Sequence, residues 1–203
     1  MAHDHADHHD ALIVEDDEGN LEGQIVIDAL RDVLIEKGLL TAQEVTAEIA
    51  KLEAPGIHQG AKIVAKAWTD PDYKRRLLED GKSCIQEIGI AVGEARIIVV
   101  ENTEAVHNLI TCTLCSCYPR SILGQPPSWY ISKAYRARTV REPRAVLKEF
   151  GTELGENVDV IVHDSNADMR YLVLPQAPAD VTDLSTEDLE ALVTRDHLVG
   201  VTR

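Results

Sequence analysis

Residues 24–37 place Ile27, Leu30 and Leu34 at helical spacing, and Gly38 offers a stop. Thr41 and Glu44 then form a capping-box pattern that opens a helix carrying Val45, Ile49 and Leu52 on one stripe, until Pro55 and Gly56 break it. The spacing predicts two short helices joined by a tight turn, an arm over residues 23–55. Its apolar stripe must pack on its own domain or on a partner chain. A third helix is expected over 59–68, with Gly60, Val64 and Trp68 in register. Asp70 and Pro71 suit the N-cap and first turn of a fourth, which Gly81 would close, and a fifth lies around 83–88. After Gly93 the texture changes. The apolar run Ile97, Ile98, Val99, Val100 reads as a buried strand over 96–101, and 106–111, 158–163 and 170–174 read as three more. Helices are expected over 127–138, 142–150 and 186–193, the last capped by Ser185. Helices come first and mixed helices and strands follow, which gives the α+β class. The helical arm precedes a mixed α/β body, residues 56–203, with a layered sheet core. There is no internal repeat.

Composition sharpens this picture in three places. With 44% hydrophobic residues but one Phe, two Trp and five Tyr, the core must be largely aliphatic. A net charge of −15 argues against a nucleic-acid surface and against adhesion to anionic membranes. No apolar run approaches the length of a bilayer span and no signal peptide opens the chain, so the cytoplasm is the expected compartment. Residues 1–22 carry eight acidic residues, four histidines and no Lys or Arg, the composition of a solvated, disordered tail. Its His3, His5, His8 and His9 offer an alternative use, the capture of a divalent metal.

Three of the four cysteines fall in Thr111-Cys112-Thr113-Leu114-Cys115-Ser116-Cys117-Tyr118-Pro119, the wrong distribution for a disulfide framework. A Cys-x-x-Cys turn brings two thiolates to one metal. The third cysteine, two residues on, leaves too little chain to wrap a tetrahedron. The backbone can instead pass beside the metal and offer the amides of Ser116 and Cys117. Three sulfurs and two amides make a five-donor claw with one position open, suited to trivalent cobalt or iron rather than zinc. Other readings fit the spacing too: a zinc site completed by His107, an iron–sulfur cluster using Cys84, or three reduced buried thiols. A metal carrier or sensor without catalysis would have little use for the open position.

Cys112-Thr113-Leu114-Cys115-Ser116-Cys117 is similar to the metal-binding signature of nitrile hydratase alpha subunits. Glu101-Asn102-Thr103 and His107-Asn108 before it look like that family. So do Leu123-Gly124, Pro126-Pro127, Trp129-Tyr130, Tyr135-Arg136, Arg141-Glu142-Pro143-Arg144, Arg170-Tyr171, Leu174-Pro175 and Val193-Thr194-Arg195-Asp196 after it. The resemblance covers nearly the whole chain from about residue 24. It implies hydration of a nitrile substrate to the amide at a non-corrin Co(III) centre, one per chain. Thr113, where iron-type relatives typically have Ser, points away from Fe(III). Cys112 would be the axial thiolate. Cys115 and Cys117 would be equatorial sulfurs oxidised to sulfinic and sulfenic acid, with Ser116 and Cys117 supplying amide nitrogens. The Cys117 sulfenate oxygen would act as nucleophile or as the base for water. The resemblance further implies a beta-type partner subunit whose arginines hold the oxidised sulfurs, and an activator protein that loads cobalt. A chain isolated from both is expected to form a homodimer through the arm.

Two departures stand out. Arg120 occupies a place where most family members have Trp, which suits a polar or anionic substrate unless the guanidinium turns to solvent. Residues 90–94 lack the Gln that many relatives carry there. Both keep in play the metal-binding subunit of thiocyanate hydrolase, a related protein, and a specialised hydratase such as the toyocamycin type. Among other candidates, Tyr118 is a pocket wall or a packing residue and Arg170 an interface brace. His107 is structural, Cys84 is a buried free thiol, and Asp164 and Asp168 are expected in local ion pairs.

Overall fold

The computed structural model describes residues 21–53, 55–115, 117–179 and 181–203. The expectations for the histidines of the tail and for the amide of Ser116 lie outside the described residues. The chain begins with α1 (Leu21–Glu36) and α2 (Ala42–Glu53), and Thr41 and Glu44 close the expected capping box. Next come α3 (Ile57–Thr69), α4 (Pro71–Glu79) and α5 (Gly81–Glu87). The Asp70 carboxylate accepts the Tyr73 N–H at 2.9 Å, as its place before Pro71 predicts. Gly81, however, does not close α4. Asp80 ends that helix and caps the next, and Gly81 opens α5 against β1 (Arg96–Glu101). A Cβ on Gly81 would lie 2.7 Å from the Ile97 carbonyl oxygen, so the residue is needed for close packing rather than for a stop.

The strands appear where the apolar runs place them: β1, β2 (Val106–Thr111), β3 (Asp159–Asp164) and β4 (Met169–Leu174). Their pairing is less obvious. β1 runs parallel to β4, and β2 runs parallel to β3, giving two two-stranded ladders. Short turns join β1 to β2 and β3 to β4, yet neighbours in sequence do not pair. Each instead pairs with a strand of the other unit. The ladders are layered, and the His163 ring of β3 stacks 4.9 Å from the Tyr171 ring of β4. Leu109, Ile110, Leu172, Val173 and Leu174 are buried with α3, α4 and α11 (Arg195–Val199) in one core.

The region expected as one helix over 127–138 is two, α7 (Ser128–Ile131) and α8 (Lys133–Arg141). Ser132 between them is extended, and its hydroxyl caps α8 by accepting the Tyr135 N–H at 3.0 Å. The apolar spacing continues across the break, but a serine able to cap favours a new start. The four-residue α6 (Arg120–Leu123) and the five-residue α11 are too short for a periodic signal. α9 (Pro143–Glu149) and α10 (Thr186–Leu192) match their expected ranges, and Ser185 and Asp188 form a capping box for α10.

A buried polar chain ties the sheets to the C-terminal segment. His107 Nε2 donates to the Gly200 carbonyl at 2.7 Å, which leaves its Nδ1 to accept from Asn102 at 3.4 Å. Asn102 Oδ1 in turn accepts from the Asn108 backbone and side chain, and Asn108 Oδ1 accepts from His163 at 2.8 Å. Every orientation is fixed by its neighbour. Gly200, at φ +87°, brings its carbonyl here, and a Cβ would sit 2.0 Å from the Asn108 oxygen. Among the described residues no helix is long and apolar enough to cross a membrane.

Candidate metal centre

The register that pairs Thr111 with Asp164 brings the carboxyl ends of β2 and β3 to the same edge. Cys112 follows Thr111 directly, so the cysteine loop begins where parallel strands end, the usual location for ligand sites in open sheets. Cys112 is fully buried, Cys117 is buried and Cys115 faces solvent. Their sulfurs converge: Cys112 Sγ lies 3.3 Å from Cys115 Sγ, and Cys115 Sγ lies 3.0 Å from Cys117 Sγ. All three are within 4.8 Å of one another, and they form a group without other His, Cys, Asp or Glu ligand atoms among the described residues.

These separations discriminate between metal geometries. Two thiolates each about 2.3 Å from one ion sit roughly 3.2 Å apart at right angles and about 3.8 Å apart at the tetrahedral angle. The observed 3.0 and 3.3 Å are closer to the right angle of an octahedral or square-planar ion than to the tetrahedral angle of zinc. His107 faces the Gly200 carbonyl and Asn102 rather than the thiols, which removes the zinc set it would complete. Cys84 is buried elsewhere, its thiol 3.8 Å from the Tyr73 carbonyl, which removes the iron–sulfur cluster and leaves the free thiol expected.

The loop is held from several sides. Asp164 accepts the Thr113 N–H at 2.9 Å and its hydroxyl at 2.5 Å, a carboxylate fork that fixes the turn between Cys112 and Cys115. The local ion pair expected of Asp164 does not form; its two carboxylate oxygens serve Thr113 instead. Arg136 donates to the carbonyls of Thr113 at 3.5 Å and Cys115 at 3.3 Å. The Tyr130 hydroxyl donates to the Cys117 carbonyl at 2.8 Å, and the Tyr118 ring packs edge-on to Tyr130 with centroids 4.9 Å apart. Burial raises the Cys117 thiol pKa, hydrogen bonds with Cys115 and Cys112 raise it further, and Arg170 pulls the other way. Metal binding through the Cys117 sulfur is therefore coupled to loss of its proton.

A cavity of about 460 Å³ opens beside the exposed sulfur, lined by Glu94, Cys115, Cys117, Tyr118, Arg120 and Arg170, with Gly93, Ala95 and Ala167. The structure thus brings together all the cysteine candidates with Tyr118, Arg120 and Arg170. Arg170 stands on the cavity wall, with its Nε buried and unpartnered, rather than in a surface salt bridge. Sequence reasoning missed Glu94, Arg136 and the role of Asp164. Glu94 stands in the segment marked for its absent Gln. Its carboxylate accepts the Ser121 N–H at 3.0 Å and is also hydrogen-bonded by the Ser121 hydroxyl. None of these three lies close in sequence to what it holds, so no local pattern announces it.

A family model for the nitrile hydratase alpha chain matches residues 22–202. The chain is 48% identical over 179 residues to the cobalt-containing nitrile hydratase subunit alpha of Pseudonocardia thermophila, covering 86% of this chain and 87% of that one. It is 39% identical over 185 residues to the thiocyanate hydrolase subunit gamma of Thiobacillus thioparus, covering 85% and 76%. Among solved structures, a double mutant of the iron-type nitrile hydratase from Comamonas testosteroni Ni1 superposes with a TM-score of 0.83 at 42% identity, covering 91% of each chain. The match runs through both ladders and the cysteine loop, and the chain belongs to the nitrile hydratase alpha chain family.

Proposed function

We propose that this chain is the metal-holding alpha subunit of a cobalt-dependent nitrile hydratase, which adds water to a nitrile to give the amide. The observation that carries the proposal is the convergence of three cysteine sulfurs, with neighbouring separations of 3.3 and 3.0 Å, beside an open cavity. Relatives named as cobalt-containing hydratases support the choice of metal over iron. In this reading Cys112, Cys115 and Cys117 supply sulfur, and the amides of Ser116 and Cys117 supply nitrogen. Trivalent cobalt held there supplies Lewis acidity, polarising a nitrile or lowering the pKa of a water. The chain's own residues set the geometry. Asp164, Arg136 and Tyr130 pin the loop at Thr113, Cys115 and Cys117, so little reorganisation remains when the site fills. Cys115 and Cys117 are the sulfurs to be oxidised, to sulfinic and sulfenic acid, and Arg170 offers a positive charge to the oxygens they gain.

A beta-type subunit completes the site. Leu114, at the tip of the loop, is 86% exposed, and Ile25, Val26, Ile27, Leu30 and Ile49 of the arm present further apolar surface. Both are surfaces for that subunit, with an activator protein loading the metal. The isolated chain covers its arm by forming a homodimer, and the cytoplasm is the assigned compartment. A second reading, the metal subunit of a thiocyanate hydrolase, is favoured by Arg120 on the cavity wall. The test is metal analysis with intact mass on chain co-expressed with its partner and activator. About one cobalt per chain and three added oxygen atoms on the peptide carrying Cys115 and Cys117 are expected. Stoichiometric zinc on unmodified cysteines would overturn the reading.

A further inference from the structure

We propose that Arg120 makes the site selective for nitriles that carry their own carboxylate, held by the guanidinium while the nitrile end faces the cysteines. The inference rests on the hydratase reading and extends it to a substrate class. Arg120 and Arg170 both line the cavity, and among the described residues neither forms a salt bridge. In a chain of net charge −15, two guanidinium groups facing a single carboxylate, Glu94, leave this small cavity with a positive balance. The two are not equivalent. Arg170 acts electrostatically on Cys117 and belongs to the sulfurs. Arg120 is exposed at the start of α6, beyond that set.

Glu94 is the acid on the same wall, and it makes no salt bridge with Arg120. Its carboxylate oxygens accept from the backbone and hydroxyl of Ser121, the next residue in α6. It therefore fastens the turn that carries Arg120 without pairing its guanidinium, which stays open to an outside anion. A guanidinium offers a planar fork that matches a carboxylate with two parallel hydrogen bonds. The cavity of the chain alone, about 460 Å³, has room for a small organic ligand.

The experiment uses the cobalt-loaded complex with its partner subunit. It compares kcat/KM for 3-cyanopropanoate with that for its neutral counterpart, 3-cyanopropanamide, with thiocyanate as a third probe. The carboxylate is expected to be preferred. Arg120→Gln should reduce the preference by roughly ten- to a hundredfold, mainly through KM, and Arg120→Lys should keep part of it. Calorimetric binding of 3-cyanopropanoate, measured with and without cobalt, should weaken by a similar factor in Arg120→Gln. An equal loss for both nitriles would mean that Arg120 serves the sulfurs, and would overturn the inference. Hydration of the neutral nitrile without preference for the carboxylate would overturn it while leaving the hydratase reading intact. Turnover of thiocyanate with neither nitrile hydrated would overturn both.

Discussion

In α3 and α4 the apolar stripe vanishes from solvent, and Ile63, Val64, Tyr73 and Leu77 are completely buried. In α1 and α2, at the same helical spacing, Ile25, Val26, Ile27, Leu30 and Ile49 remain exposed, Leu30 at 57%. The two helix pairs follow each other along the chain, and both use a side-chain cap at a turn. What separates them is the surface each stripe meets. α3 lies against α10, α6 and α11 and α4 against β1, whereas in α1 and α2 Ile27, Leu30 and Ile49 face water and Leu34 and Val45 of the stripe are half-buried. Periodicity specifies a face and says nothing of what covers it. A contiguous apolar face of this kind is the mark of an interface.

Matched substitutions sharpen the contrast. The largest difference is expected between Leu77→Ala and Leu30→Ala in the isolated chain. Leu77→Ala should cost about 2–5 kcal/mol in urea unfolding, since it empties a packed site. Leu30→Ala should stay within about 0.5 kcal/mol where the chain is dilute enough to be monomeric. At concentrations where the homodimer forms, a loss at Leu30 should appear and should vanish on dilution. Next in size are the caps. Ser132→Ala should lower global stability by about 1 kcal/mol, because α8 folds with the core. Thr41→Ala should instead speed amide exchange across α2 with no shift in the global unfolding midpoint.

The smallest effect is in acid. The N–H of Tyr73, and then Lys66, hold the Asp70 carboxyl below its ordinary pKa, and the hydroxyl and N–H of Thr41 do the same for Glu44. A depressed folded pKa contributes stability above the unfolded value, about 4, and loses it as the pH falls through the lower folded value. Asp70→Asn should therefore flatten the acid limb of the urea midpoint below about pH 4. Glu44→Gln should leave that limb unchanged. Flattening by Glu44→Gln would show that α2 unfolds together with the body.

Much of this was legible in the residues. β1 and β2 begin and end where their apolar runs do, and Asp70, Thr41 and Ser185 cap as their positions require. The spacing of the cysteines marked where a metal could sit, and the resemblance to a family chose among its readings. The break at Ser132 was hidden because apolar residues continue across it, and Gly81 was misread because its neighbour Ile97 lies on another element. The exchange of partners between β1–β2 and β3–β4 has no local trace, since parallel pairing is decided by distant chain. For the same reason the site read as three cysteines, while Glu94, Arg136 and Asp164 became visible only in three dimensions.

The fork between Asp164 and Thr113 spans 51 residues of sequence. A growing chain therefore exposes its three thiols well before the strand that fixes their turn has been made. The two parallel ladders need the same late residues, and pairings of such long range close slowly. The turn that gathers the three sulfurs is thus held only once β3 and β4 are complete. Until then the cysteines are loose reactive thiols, open to stray oxidants and to whichever metal arrives first.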